Sequence, residues 1–233
     1  MIDPNTLIKV TGLTYRYPRR GVVLDAVDFS LHAGERVALT GPNGAGKTTL
    51  LHLLVGLKKP KAGEVWAFGE TRTEEKQFVE VRARAGFLFQ DPDDQLFCPT
   101  VLEDVAFGPL NLGKTREQAL HIASDTLAAL GMAGFEERIT HQLSGGEKRM
   151  ITLASVLAME PDVLLLDEPS NALDTQARKR LIDTLLELPQ AMIIISHDQD
   201  FIDQLATREV RLESAKLIDK TPTKTTLAEA EAV

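Results

Sequence analysis

The stretch Gly-Pro-Asn-Gly-Ala-Gly-Lys-Thr, residues 41–48, constrains this 233-residue chain more than any other part of it. It fits the pattern G-x-x-x-x-G-K-[ST], and its context fits too: the apolar β-type run RVALTG (36–41) precedes it and a helical pattern, GKTTLLHLLVGL, follows. Gly41, Gly44 and Gly46, spaced by Pro42, Asn43 and Ala45, let successive backbone N–H groups curl round a phosphate. The N-terminus of the next helix, with Thr49 in its first turn, adds its dipole. Lys47 has the reach for the β- and γ-phosphates, and the Thr48 hydroxyl is a ligand for Mg²⁺. A glycine-rich turn capping an ordinary helix would share the composition but not the strand, loop and helix in order. The motif predicts a bound nucleoside triphosphate and is silent about what its energy is used for.

Other apolar β-rich runs follow the same plan, each leading into polar residues and then a helical pattern: AGFLFQ (85–90), DVLLLDEP (162–169) and AMIIISHD (191–198). Near-continuous apolar strands of this kind predict a parallel sheet covered on both faces. The first 35 residues alternate in short pieces and predict antiparallel β structure, while residues from about 91 to 158 carry almost no strand signal. A helix is expected between Thr115 and Leu130, opened by a capping box (Thr115, Gln118) and striped by Leu120, Ala123, Leu127 and Leu130. The expected fold is therefore α/β: a P-loop parallel-sheet core with an N-terminal antiparallel β subdomain and an inserted helical subdomain. Residues 1–90 and 159–219 would form the core, 91–158 the insertion, and 220–233 a flexible polar tail.

VLLLDE (163–168) sets two carboxylates at the end of a buried strand, where open α/β sheets bind ligands. Asp167 would hold Mg²⁺ through water, and Glu168 would polarise an attacking water; an acidic turn before Pro169 is the alternative. LSGGEKRM (143–150) contains a second capping box, Ser144 with Glu147, ahead of an apolar stripe of Met150, Ile151, Ala154 and Leu157. Gly145 and Gly146 are poor helix formers at those positions, and they make sense where backbone N–H groups must approach an anion closely.

Leu-Ser-Gly-Gly-Glu, about twenty residues before the acidic strand end and about a hundred after the phosphate loop, resembles the signature motif of ABC-type ATPases. The rest of that pattern lies in the family's order. Gln90, read as ending a strand, matches the Q-loop glutamine. SNALD (170–174) matches the D-loop and contributes Asp174. His197 matches the switch histidine. Tyr17 matches the aromatic that stacks on adenine, with Tyr15 as a competitor. The resemblance implies that ATP and Mg²⁺ are sandwiched between two head-to-tail copies. Each phosphate loop would face the partner copy's Ser144, Gly145, Gly146 and Glu147. It further implies that Gln90 assists Thr48 and Asp167 at Mg²⁺, and that Glu168, His197, Lys47 and Gln90 carry catalysis. Tyr17, and the lack of an Asn-Lys-x-Asp guanine motif, favour adenine.

The segment QDPDDQLFCPTVLEDVAFGPLNLG (90–113) resembles the ATPases of energy-coupling-factor importers, with the cobalt or nickel branch as the closest likeness. That resemblance implies two further partners, a polytopic membrane coupling subunit and a membrane subunit that binds the cargo. It also implies a peripheral station on the cytoplasmic face of the cell membrane. Leu96 and Phe97 would meet the membrane partner or pack beneath its groove. Asp91, Asp93 and Asp94 would shape a turn. Three loop aspartates without histidine do not suit cobalt or nickel. Little follows Leu217, so a nucleotide-free dimer is expected to be weak.

Composition limits the alternatives. A net charge of −8 argues against a nucleic-acid partner, and 43% hydrophobic residues against global disorder. A lone cysteine, Cys98, excludes an internal disulfide framework and fits a reducing compartment. No apolar run approaches the roughly 20 residues that span a bilayer, and the N-terminus lacks the order of a signal peptide. A vitamin such as biotin is an alternative cargo. A soluble, non-transport ABC ATPase and a P-loop small-molecule kinase are alternatives from other classes.

Overall fold

A computed structural model describes residues 2–220. The first two strands, β1 (Thr6–Tyr17) and β2 (Gly21–His32), form one long antiparallel pair. Their alternation reads as short pieces in the sequence because β1 bulges: Gly12 takes φ +59° and the register shifts between Val10 and Leu13. β3 (Arg36–Thr40) then enters the phosphate loop, and α1 (Lys47–Leu54) leaves it. β4 (Ala62–Ala67) and β5 (Glu70–Arg72) return to the antiparallel sheet, whose order is β2-β1-β4-β5. α2 (Phe78–Arg84) leads into β6 (Ala85–Leu88).

Between β6 and the next strand the described structure is helical: a 3₁₀ turn at Pro92–Asp94, α3 (Val101–Asn111), α4 (Arg116–Ala129), a second turn at Thr140–Gln142, and α5 (Gly145–Leu157). The chain then runs through β7 (Val163–Asp167), α6 (Thr175–Glu187), β8 (Ala191–Ile195), α7 (Gln199–Leu205), β9 (Arg208–Glu213) and β10 (Lys216–Asp219). The second sheet has the order β10-β9-β3-β8-β7-β6, parallel except for the β9–β10 hairpin.

The apolar runs are continuous because both faces of this sheet are covered. Val163 and Leu165 of β7, with Ala191, Ile193 and Ile195 of β8, pack into one core shared with β1, β2 and α1. The intervening Leu164, Leu166, Met192 and Ile194 face a second core built with α3 to α7. Three helices of the second core start with reciprocal capping boxes: Thr100 with Glu103, Thr115 with Gln118, and Ser144 with Glu147. On α4 the buried stripe is Ala119, Ala123 and Leu127, with Leu120 and Leu130 at its partly covered edges.

One expectation is corrected. β6 ends at Leu88, two residues before Gln90. The main-chain groups that would extend it are engaged by side chains. The Phe89 N–H donates to Gln95 Oε1 at 3.1 Å, and Arg149 donates to the Phe89 and Gln90 carbonyls at 2.7 and 2.6 Å. Gln90 thus sits exposed in a bend. The tail from 221 onward lies outside the described residues. Among the described residues no helix is long and apolar enough to cross a membrane.

Candidate functional site

The carboxyl ends of β3, β8, β7 and β6 lie side by side, so the residues that follow them collect at one edge of the sheet. The phosphate loop follows β3, His197 follows β8, Asp167 closes β7 with Glu168 next, and Gln90 lies just beyond β6. A cleft of about 540 Å³ is bordered by Asn43, Gly44, Gly46, Lys47, Thr48, Thr49, Gln90, Asp167, Glu168 and His197. Gly41, Pro42 and Ala45 complete the loop behind that wall. Gly41 (φ +136°) must be glycine because a Cβ there would collide with the Leu212 carbonyl of β9.

Lys47 is only 6% exposed, and its ammonium donates to the carbonyls of Gly41 at 2.7 Å and Pro42 at 3.1 Å. It also lies 3.5 Å from His197 Nε2. Burial lowers the Lys47 pKa, while the Glu168 and Asp167 carboxylates pull it the other way. Asp167 is buried and accepts a hydrogen bond from the Thr48 hydroxyl; burial raises its pKa. Glu168 adopts a left-handed backbone, φ +48°, with its N–H on the Ile195 carbonyl at 2.9 Å. That turn carries its carboxylate to 3.2 Å from His197 Nε2, and burial raises its pKa.

The Thr48 hydroxyl, the Gln90 amide and the Asp167 carboxylate are hard oxygen donors facing the cleft, the set Mg²⁺ accepts beside phosphate oxygens. These residues would hold the ion, which would neutralise phosphate charge. Among the described residues no group of three or more His, Cys, Asp and Glu could hold a metal by itself.

An adjoining cleft of about 560 Å³ shares Thr48, Gln90 and Asp167 and adds His52, Gly145 and Arg149. Gly145 therefore borders the site's flank, whereas Ser144, Gly146 and Glu147 line neither cleft. Ser144 Oγ accepts from the Glu147 N–H at 3.3 Å, and the Glu147 carboxylate accepts from the Ser144 N–H at 2.8 Å and from Arg138 at 2.8 Å. The Ser144 bonds and Arg138 hold the Glu147 pKa down. Tyr17 lines neither cleft and is tied to α1 by its hydroxyl, 3.0 Å from Thr49 Oγ1. Its ring packs edge-on against Tyr15 at 5.1 Å. Asp174 caps α6 through the Ala177 N–H at 2.8 Å.

The segment after Gln90 separates the pair expected to act together. Asp91 caps the turn through the Asp93 N–H at 2.9 Å, and Leu96 packs partly into the second core. Phe97 is 65% exposed and meets Phe107 edge-on at 4.7 Å. Both border an apolar groove of about 250 Å³ with Leu57, Phe87, Phe89 and Met159. Cys98 is half-buried, and burial, with the Asp104 carboxylate beside it, pushes its thiol pKa up to about 11, which disfavours the thiolate.

Four contributors were not read from the sequence: Arg20, whose guanidinium donates to the Gly44 carbonyl, His52, Asn171 and Arg149. Asn171 lay inside the SNALD stretch without being singled out, and Arg149 left a periodic signal. It falls in register with Leu153 and Val156 at i, i+4 and i+7, a cation on an otherwise buried stripe.

A phosphate loop and an acidic strand end, separated by one strand in a parallel sheet, define a P-loop nucleoside triphosphatase. Within that class the second glycine motif narrows the choice, and comparison with known proteins settles it. The chain belongs to the ABC transporter family, whose profile matches residues 24–171. It is 54% identical over 196 residues to an ABC transporter ATP-binding protein of Brucella suis biovar 1, covering 84% of this chain and 82% of that protein. It is 44% identical over 216 residues to the energy-coupling factor transporter ATP-binding protein EcfA of Methanothermobacter thermautotrophicus, covering 91% and 70%. Among solved structures it resembles cbiO1 from Clostridium perfringens, described as part of the ABC transporter complex cbiONQ. The TM-score is 0.83 at 32% identity, over 98% of this chain and 93% of that one. The chain is thus an ATP-binding subunit of an ABC transporter, using ATP and Mg²⁺ in hydrolysis coupled to transmembrane transport.

Proposed function

We propose that the chain is the ATP-hydrolysing subunit of an energy-coupling-factor importer for cobalt or nickel ions, peripheral on the cytoplasmic face of the membrane. The observation that carries this reading is the segment from Gln90 to Phe107. Its Asp-Pro-Asp-Asp-Gln-Leu-Phe run resembles the importer ATPases, and the segment leaves an exposed aromatic pair at the lip of an apolar groove lined by Phe89, next to Gln90. The groove suits an apolar helix of a polytopic coupling subunit. The similarity to EcfA and to cbiO1 supports the importer class.

In this reading residues 1–90 and 159–219 form the ATP-binding core and 91–158 the signature subdomain. Two copies close head to tail on two ATP molecules. Lys47 neutralises β- and γ-phosphate charge. Glu168, with its raised pKa, accepts a hydrogen bond from the attacking water, and His197 orients the γ-phosphate. Ser144, Gly145 and Gly146 of the partner copy close the site, and Tyr17 stacks on adenine.

Two experiments test this. Glu168→Gln should convert the chain to a stable dimer on size-exclusion chromatography with ATP and Mg²⁺; a strictly monomeric variant that binds ATP counts against the sandwich. Purification from native membranes should recover a polytopic coupling subunit and a metal-binding membrane protein. Recovery of a biotin-binding membrane protein would move the cargo to vitamins, and recovery from the soluble fraction alone would sink the importer reading.

A further inference from the structure

Two adjacent cations on α5 grip the loop that carries Gln90. The Arg149 side chain is almost fully buried, and its two terminal nitrogens donate to consecutive carbonyls, Phe89 at 2.7 Å and Gln90 at 2.6 Å. Lys148 Nζ lies 2.5 Å from Asp93 Oδ1, in the turn three residues further on. The same turn is held to β6 by Gln95, which donates to the Phe87 carbonyl at 3.2 Å.

Fold stability is a poor account of Arg149. A buried guanidinium is costly to desolvate, and here burial outweighs the charges of Asp91 and Asp167, neither of which forms an ion pair with it among the described residues. Its Nε also lacks a hydrogen-bond partner there. What the side chain does supply is a rigid planar fork. Two parallel N–H groups fix two successive peptide units at once, which lysine or an apolar residue cannot do. The largely covered Lys148 side chain reaches out to the exposed Asp93, so the pair ties the turn to α5 and contributes orientation.

The elements joined in this way serve different nucleotides. Gln90 faces the cleft of its own subunit, and Ser144 heads the helix that carries both cations. Given the head-to-tail sandwich above, on which this inference rests, Ser144 faces the partner's ATP. We propose that Arg149, with Lys148, is a positioning residue that locks Gln90 to the signature helix, so that ATP at one site of the dimer sets the geometry of the other. The fork transmits displacement in both directions: a Gln90 drawn toward its own nucleotide turns α5, and an α5 seated on the partner's nucleotide sets Gln90.

The readout is cooperativity. With two coupled sites the Hill coefficient for ATP hydrolysis cannot exceed about 2. The wild-type chain, assembled with its membrane partners, should approach that limit. Arg149→Lys keeps the charge but loses the fork, and should bring the coefficient toward 1. Lys148→Asp and Asp93→Lys, both outside the cores, should lower it too, and the exchange Asp93→Lys/Lys148→Asp should restore it. A purely structural role for these residues would reduce the rate and leave the Hill coefficient alone, and that result overturns the proposal. So does a non-cooperative wild type. If Glu168→Gln fails to dimerise on ATP, the sandwich falls and this inference with it. If it dimerises while the variants keep the wild-type coefficient, only the coupling falls.

Discussion

Glu168 combines a left-handed backbone, worth roughly 1–3 kcal/mol of strain, with a carboxylate whose pKa burial has raised. The sign of the resulting pH dependence follows. Between its unfolded pKa, about 4.3, and the higher folded value, the folded chain binds more protons than the unfolded one, so stability falls as pH rises. The penalty therefore grows as pH rises through the folded-state titration of Glu168. Glu168→Gln keeps the shape and removes the ionisation. It should raise Tm near pH 7.5, and the gain should vanish below about pH 4, where the carboxyl is protonated in both states. Calorimetry across that range checks it; a gain that persists in acid would assign the effect to packing. The same raised pKa predicts that kcat of the wild type rises with pH through the Glu168 titration. Lys47, Asp167, Glu168 and His197 were legible from the sequence because each is fixed by a few neighbours along the chain: a loop, a strand end, a turn. Arg149 was not, because its partners are carbonyls about sixty residues away that only folding brings near.

Among the elements, α5 shows why its two glycines are not equivalent. A Cβ on Gly146 would sit 2.8 Å from the Ala177 Cβ of α6, whereas a Cβ on Gly145 would meet nothing within 4 Å. Gly146 lets two helices touch, and Gly145 leaves open the surface that the proposed sandwich would offer to the partner's nucleotide. Gly146→Ala should therefore lower Tm by about 2–10 °C through overpacking. Gly145→Ala should leave Tm unchanged or slightly higher while suppressing ATP hydrolysis. Thermal melts beside steady-state rates separate the two, and equal destabilisation by both would refute the distinction. The starts of α4 and α5 could be read in advance because capping boxes are local. β4, β5, β9 and β10 went unread: at least half the residues of β4, β5 and β10 are exposed, and β9 (Arg-Glu-Val-Arg-Leu-Glu) buries only Val210 and Leu212, so none carries a continuous apolar run. The β6 terminus was misplaced for a related reason, since Phe89 continues an apolar pattern whose ladder bonds are taken by Gln95 and Arg149.

At the scale of the whole molecule, the parallel sheet divides two cores, and the nucleotide cleft and the apolar groove both border the loop between Phe87 and Gln90. Phe97 and Phe107 are exposed enough that Phe97→Glu and Phe107→Glu should fold normally. If they are aromatic anchors for a membrane helix, worth about 2 kcal/mol or more, capture by the membrane partner should weaken roughly 30-fold with ATP binding intact. Binding to reconstituted coupling subunit measures this; loss of ATP affinity in step with capture would mean that the pair belongs to the core. The strand order has a further consequence, for how the chain is made. Among the described strands β3, which presents the phosphate loop, pairs only with β8 and β9, both more than 150 positions further along the chain. A ribosome working at about 5–20 residues per second needs roughly 8–30 s to travel from Thr40 to Ala191. For that interval the phosphate loop exists without a frame, and the growing chain depends on its antiparallel sheet and helices to keep an apolar strand from finding the wrong neighbour.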